Sequence, residues 1–162
     1  MRTLVGQTPK NIGKEVTLAG WINTRRDHGG IMFLDLRDRS GIVQLVLGSG
    51  SGLKKGQTPP TPEDVVEVVG IVKKRPALMV NPKIPTGTVE VEVRSITILS
   101  KAKELPFPID TDGYEINEEV RMKYRYLDIR RPRMARNLRL RSAVTTFIRN
   151  YLTALNFVEV ET

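Results

Sequence analysis

The first hundred residues alternate between apolar and polar positions in short runs, and this period of two predicts β-strands. We predict five strands, over residues 15–23, 31–37, 42–47, 65–73 and 88–99. In four of them the alternation defines an inward apolar face, which comprises Val16, Leu18 and Ile22, then Met32, Leu34 and Leu36, then Val43, Leu45 and Leu47, and finally Val89, Val91 and Val93. In the last strand the phase changes before Ile96, which predicts a β-bulge near Ser95.

Turn-forming residues separate these strands. Asp38 to Gly41 predicts a tight turn centred between Asp38 and Arg39, which places Phe33 opposite Gln44 in the resulting hairpin. Residues 48–64 are rich in Gly, Ser and Pro and predict a flexible loop. This loop is not a phosphate loop, because it lacks Gly-Lys-Ser/Thr and no helix follows it. Five short strands in about ninety residues predict a mainly β chain with a closed OB-fold barrel, the alternative being an SH3-like barrel.

The pattern changes after Ser100. Closely spaced prolines predict a semi-rigid linker over residues 104–118, and a helical stretch is predicted over 117–129. A long amphipathic helix begins at Pro132 and ends at Asn156, and the alternation after it predicts the start of an unpaired strand. The apolar stripe of this helix comprises Val144, Phe147, Ile148, Tyr151, Leu152 and Leu155. We therefore predict a barrel domain over 1–103 and the truncated start of a second domain over 119–162, whose stripe is covered by further chain or by a partner subunit.

Composition narrows the classes of function. The chain has 26 Lys and Arg against 18 Asp and Glu, a net charge of +8. This surplus favours a polyanionic partner such as nucleic acid, although a basic protein without such a partner is the alternative. With no cysteine and one histidine, the sequence excludes disulfides and predicts no metal site. It shows neither a leader peptide nor a membrane-spanning run, so we expect a cytoplasmic protein that does not contact membranes. No residue pattern indicates catalysis.

The second predicted strand contains one anomaly. If Met32 and Leu34 point inward, Phe33 points outward, and an aromatic ring on the surface of a basic barrel is a stacking platform for an unpaired base. Gln44 also points outward, so its amide can read the edge of a stacked base. The alternative is that Phe33 packs under a terminal extension or a loop.

Three further groups are candidates for RNA contacts. Arg25 and Arg26, in the predicted loop before Gly29-Gly30, form a candidate clamp for the nucleotide backbone; a solvated charged loop is the alternative. Glu90 faces outward and can accept from a base amino group, or it is solvated or paired with a lysine. His28 is interpreted as a loop residue with a hydrogen-bonding role.

Two long runs resemble the aspartyl-tRNA synthetases, and their bacterial branch in particular. They are GWINTRRDHGGIMFLDLRDRSGIVQLVL at 20–47 and RMKYRYLDIRRPRMARNLRLRS at 121–142, followed by NYLTALNFVEVET. The resemblance implies tRNA contacts in which Phe33 stacks on an anticodon base, Gln44 reads a base edge, Arg26 contacts the stem-loop, Glu90 is a recognition carboxylate and Asn81 lies near the first anticodon base. It also associates His28 with tolerance of asparagine tRNA.

The same resemblance assigns residues 141–162 to class II motif 1, the homodimer interface of these enzymes. It implies that the full-length enzyme uses ATP and Mg to attach aspartate to tRNA, and that this chain carries no catalytic residue or cofactor of its own. Two alternatives remain: a stand-alone OB-fold RNA-binding module without ligase activity, and a barrel for single-stranded DNA that has no anticodon preference.

Overall fold

The computed structural model describes residues 2–48, 52–53 and 58–161. The chain divides into two compact units, Met1–Lys103 and Glu104–Thr162. Much of the predicted flexible loop, namely residues 49–51 and 54–57, lies outside the described residues.

The first unit is a closed barrel. Its strands are β1 (Glu15–His28), β2 (Ile31–Asp38), β3 (Gly41–Leu47), β4 (Val65–Lys74) and β5 (Val89–Ser100). They are hydrogen-bonded in the order β1-β2-β3-β5-β4, with β4 returning to β1. The β3–β5 pair is parallel and the other pairs are antiparallel. This closed five-stranded barrel confirms the predicted OB fold rather than the SH3-like alternative.

The barrel core confirms the predicted inward faces. Leu34, Leu36, Val43 and Leu45 are completely buried, and Met32 packs against the same cluster. Burial of one such side chain contributes roughly 1.5–3 kcal/mol. Because side chains alternate along a strand, burial of this set leaves the residues between them on the outside of the barrel.

The β1–β2 connection is shorter than predicted. β1 continues to His28, and Gly29 and Gly30 form a two-residue turn with φ of +56° and +81°. Positive φ at both central positions is the geometry of a type I′ hairpin turn, which glycine adopts without strain. Residues 24–28, predicted as part of a loop, are therefore strand residues.

The predicted register of the β2–β3 hairpin is wrong by two residues. Asp38 pairs with Gly41, so Phe33 lies opposite Val46 and Gln44 lies opposite Asp35. The cause is the Asp38 carboxylate, which accepts hydrogen bonds from the backbone N–H and hydroxyl of Ser40. This local bonding makes Arg39 and Ser40 the two turn residues.

The predicted bulge in β5 is confirmed. Ser95 pairs with Val69 and Val93 pairs with the next residue, Gly70, so Arg94 is the extra residue. A bulge of this kind increases strand twist, which helps a small sheet to close.

The second unit is mainly helical and contains α1 (Glu118–Lys123), α2 (Arg125–Asp128) and α3 (Pro132–Ala154). The helical stretch predicted over 117–129 is present but is broken at Tyr124, whose φ and ψ are −111° and 43°. The predicted ends of the long helix are confirmed: Pro132 is the first residue, and Asn156 leaves the helix with φ of 65°. Residues 157–161 are not assigned as a strand, because no neighbouring strand pairs with them in the described parts.

The residues before α1 have no helix or strand, as their prolines predict, but they are not a simple linker. Phe107 and Ile109 are buried with Leu127 in a small apolar cluster. Next to this cluster lies a buried ion network, which is centred on Asp128.

Asp128 and Arg131 are both fully buried, and Arg131 Nε donates to Asp128 Oδ1 at 2.9 Å. Arg121 and Arg125 donate to the same carboxylate at 3.0 and 2.7 Å. Burial alone would raise the pKa of Asp128, but hydrogen bonds from Arg121 and Arg131 outweigh that effect and hold the pKa below its ordinary value. The ionised Asp128 therefore joins α1, α2 and the start of α3.

Candidate nucleic-acid interface

Four neighbouring strands of the barrel, β1, β2, β3 and β5, present a continuous outer surface. Strand register aligns its side chains in two rows, Arg26-Phe33-Val46-Glu92 and Thr24-Asp35-Gln44-Glu90. We call these eight residues the outer face. It brings four of the residues predicted from sequence onto one surface: Arg26, Phe33, Gln44 and Glu90.

Phe33 provides the aromatic surface of the outer face. It is half-buried, between fully buried Leu34 and intermediate Met32 along β2, and its lateral neighbours are Arg26 and Val46. A ring held in a strand loses little further conformational freedom when a base stacks on it. The outward orientation of Phe33 follows the prediction.

Gln44 lies between two carboxylates rather than beside the ring. Its register partners are Asp35 on β2 and Glu90 on β5. Phe33 is a diagonal neighbour, and Cα atoms in such pairs are roughly 7–8 Å apart. An unpaired base stacked on Phe33 would extend toward this group of polar atoms, which can accept from base amino groups and donate to base carbonyls.

The cationic side chains on and next to the outer face form ion pairs with its carboxylates. Arg26 Nη2 lies 3.2 Å from Asp35, Lys73 is paired with Glu92, and the hydrogen bond from Lys73 lowers the pKa of Glu92. Exposed pairs contribute only about 0–1 kcal/mol. RNA phosphates can therefore compete for Arg26, whose side chain is 60% exposed.

The structure does not bring Arg25 and Arg26 together. They are adjacent in β1, so their side chains alternate: Arg26 aligns with Phe33, whereas Arg25 aligns with inward Leu34 and forms an ion pair with Asp27 at 2.8 Å. A clamp made of both arginines is not what the barrel presents, and only Arg26 belongs to the outer face.

His28 and Asn81 lie in other parts of the barrel. His28 is the exposed last residue of β1, opposite Ile31, and not a loop residue. Asn81 lies between β4 and β5, where its Oδ1 accepts from the backbone N–H of Lys83 at 3.0 Å. This β4–β5 loop is attached to β3 by a hydrogen bond from the Thr86 hydroxyl to the Ile42 carbonyl oxygen.

The burial of Arg75 was not predicted from the sequence. Its side chain is only 6% exposed, and its Nε lies 3.6 Å from Oε2 of Glu90. In the sequence it is the third residue of a Lys-Lys-Arg run, which usually indicates a solvated segment. No periodic pattern signals its burial, which depends on the loop that follows.

The barrel has a match among known domain families. Residues 16–99 match the family model described as the OB-fold nucleic acid binding domain. The chain belongs to this family. In the second unit of this OB-fold protein, residues 117–162 match the model for class II tRNA synthetases of the D, K and N type.

Curated relatives cover nearly the whole chain. An aspartate–tRNA(Asp/Asn) ligase of Moorella thermoacetica is 50% identical over 157 residues, which are 96% of this chain and 26% of that protein. An aspartate–tRNA ligase of Streptococcus suis is 48% identical over 157 residues, again covering 26% of its length. The chain thus spans about a quarter of the length of these relatives.

Solved structures show the same fold. Asparaginyl-tRNA synthetase from Pyrococcus horikoshii, in complex with asparaginyl-adenylate, matches with a TM-score of 0.80 and 28% identity over 99% of this chain and 36% of that one. Aspartyl-tRNA synthetase from Entamoeba histolytica matches with a TM-score of 0.86 and 23% identity over 100% of this chain and 39% of that one.

Neither a membrane-spanning helix nor a metal-binding cluster is present in the described residues. None of the helices there is both long and apolar enough to cross a membrane. In the same residues, no cluster of three or more His, Cys, Asp or Glu side chains could hold a metal ion.

Proposed function

We propose that this chain is the anticodon-binding part of an aspartate–tRNA ligase and that it binds tRNA through the outer face. The observation that carries the proposal is the placement of Arg26, Phe33, Gln44 and Glu90 on one surface of an OB-fold barrel. This surface combines an aromatic platform, base-edge donors and acceptors, and an exposed cation. These are the groups with which proteins recognise single-stranded RNA.

Each residue would act by ordinary RNA-recognition chemistry. Phe33 stacks on an unpaired anticodon base, Gln44 reads a base edge with its amide, and Glu90 accepts from a base amino group. Arg26 exchanges its exposed pair with Asp35 for a phosphate of the stem-loop. Asn81 and His28 extend these contacts from the β4–β5 loop and the end of β1.

The activity of the whole protein is a further part of the proposal. The full-length enzyme would use ATP and Mg to activate aspartate and would transfer it to tRNA, and asparagine tRNA is a second candidate substrate. We assign those steps to residues outside the chain, so the chain alone should bind tRNA without aspartate-dependent ATP–pyrophosphate exchange.

The second unit would contribute to a homodimer. The predicted interface residues on α3 are exposed: Val144 48%, Phe147 69%, Ile148 50% and Tyr151 59%. Beside them, α3 and residues 157–159 line an open groove of about 360 Å³. We propose that a second subunit and the rest of the catalytic domain cover these surfaces.

Binding of whole tRNAs tests the proposed function. The chain should bind tRNA with an aspartate anticodon more tightly than the same tRNA carrying a lysine anticodon. Its affinity for the tRNA with an asparagine anticodon shows whether that anticodon is also accepted. Equal affinity for all three, or for unrelated single-stranded DNA, would support a nonspecific barrel instead.

Arg26→Ala should weaken tRNA binding and reduce the magnitude of the log K against log salt slope by about 1, because one phosphate contact is lost. Fluorescence anisotropy over a salt series measures both quantities. Arg25→Ala is the matched control, since Arg25 lies on the other side of the same strand, and it should leave the slope unchanged. A slope unaffected by Arg26→Ala, with relaxed anticodon preference, would instead indicate base reading.

A truncation after Lys103 should remain folded, be monomeric and keep the anticodon preference of the chain. The reason is that β5 ends at Ser100 and every barrel strand is then complete. Light scattering and circular dichroism measure assembly and folding. An unfolded truncation would show that the barrel depends on the second unit.

A further inference from the structure

Arg75 is a buried cation beside the candidate recognition carboxylate. Its side chain is 6% exposed, compared with 25% for Glu90, and its Nε lies 3.6 Å from Glu90 Oε2. That separation exceeds hydrogen-bonding distance, and Arg75 Nε has no hydrogen-bond partner among the described atoms. Buried donors in native proteins nearly always have an acceptor, and the Glu90 carboxylate is an acceptor close to this one.

The same side chain contacts the β4–β5 loop. Arg75 Nη1 donates to the carbonyl oxygen of Met79 at 3.3 Å. The backbone N–H of Arg75 donates to the carbonyl oxygen of Thr88 at 2.9 Å. The loop between these points carries Asn81, whose backbone N–H donates to the Gly87 carbonyl oxygen. Arg75 therefore links Glu90 on β5 to the loop that carries Asn81.

We propose that Arg75 is a positioning residue that sets anticodon-base selectivity through Glu90, an inference that rests on the proposed function. Its buried positive charge lies beside the Glu90 carboxylate and attracts it, which orients the carboxylate oxygens as hydrogen-bond acceptors. Its free Nε donor fixes one carboxylate oxygen when a base amino group occupies the other. Arg75 is too deeply buried to be the main surface contact, so it acts through Glu90 and through the loop.

A neighbouring ion pair provides the matched control. Lys73 lies opposite Glu90 in the β4–β5 register. Its side chain forms an ion pair with Glu92, and the side chains of Lys73 and Glu92 are 55% and 42% exposed. The Lys73–Glu92 pair has the same charges as the Arg75–Glu90 pair and joins β4 to β5 just before Arg75, but it is solvated. Its loss should change the general attraction for RNA without changing base selectivity.

The test measures the affinity of the 162-residue chain for tRNAs that differ in one anticodon base at a time. Arg75→Gln and Glu90→Gln should each reduce the preference at the same anticodon position roughly tenfold or more, the usual effect of a hydrogen bond to a charged group. The double variant should lose no more than either single variant, because the two residues act as a unit. Lys73→Gln should weaken all the tRNAs alike.

Circular dichroism checks that each variant is folded. If Arg75→Gln does not fold, Arg75→Lys replaces it, since lysine keeps the charge but cannot contact Glu90 and Met79 together. Preference retained in the folded Arg75 variant, or losses that multiply in the double variant, would overturn the role of Arg75 alone. A parent chain that shows no anticodon preference would overturn the proposed function and this inference with it.

Discussion

Phe33→Ala should weaken the binding of tRNA by roughly 1–3 kcal/mol, which is the usual value of one stack between a base and an aromatic ring. The loss is expected in affinity because the ring lies on the outer face, between Arg26 and Val46. Isothermal titration calorimetry with the aspartate tRNA measures it. The free energy of unfolding should change by much less, since the ring is outside the barrel core.

Leu34→Ala is the matched control for Phe33→Ala. Leu34 is the next residue of β2 and is completely buried in the core. Its truncation should destabilise the barrel by about 2–5 kcal/mol while leaving the affinity of the remaining folded protein nearly unchanged. The reverse result, in which Phe33→Ala melts the barrel and Leu34→Ala weakens binding, would show that β2 has been placed inside out.

Asp128→Asn should destabilise the second unit by about 3–5 kcal/mol, because it removes the carboxylate that compensates fully buried Arg131. Helical circular dichroism should then melt at a lower temperature. The single tryptophan, Trp21, lies in β1, so its fluorescence should report an unchanged barrel transition. Asp110→Asn is the control: Asp110 is exposed in the same unit, and surface changes of this kind usually stay within about 0.5 kcal/mol.

Acid should reproduce part of the effect of Asp128→Asn. The pKa of Asp128 is lowered in the folded chain. The ionised carboxylate therefore contributes fully to the free energy of unfolding above its unfolded pKa of about 3.9, and this contribution is lost as pH falls through the folded pKa. The stability difference between the parent and Asp128→Asn should therefore shrink below about pH 4. A difference that stays constant at lower pH would show that the carboxylate charge does not stabilise this unit.

The sequence predicted the barrel well because its core depends on a local rule. Alternation places Leu34 inward and Phe33 outward whatever the neighbouring strands do. The bulge near Ser95 was visible for the same reason, as a change of phase within one strand. The orientations of Phe33, Gln44 and Glu90 could thus be inferred without a structure.

Features that depend on contacts between distant residues could not be inferred in this way. The β2–β3 register follows from Asp38, whose carboxylate binds Ser40 and also accepts from the backbone N–H of Val5, 33 residues away. β1 extends through a polar segment because it pairs with β2, not because of its own pattern. Arg75 resembles a solvated residue in sequence, and only the fold places it beside Glu90.

Binding of anticodon bases to the outer face of the barrel can be measured residue by residue. The most direct measurement is a chemical-shift titration of the isotope-labelled chain with the anticodon stem-loop of aspartate tRNA. We expect the largest perturbations at Arg26, Phe33, Gln44 and Glu90, and we expect them to be lost when the anticodon sequence is scrambled. Perturbations concentrated on β4 and residues 2–14, or ones that do not depend on the anticodon sequence, would contradict binding at the outer face.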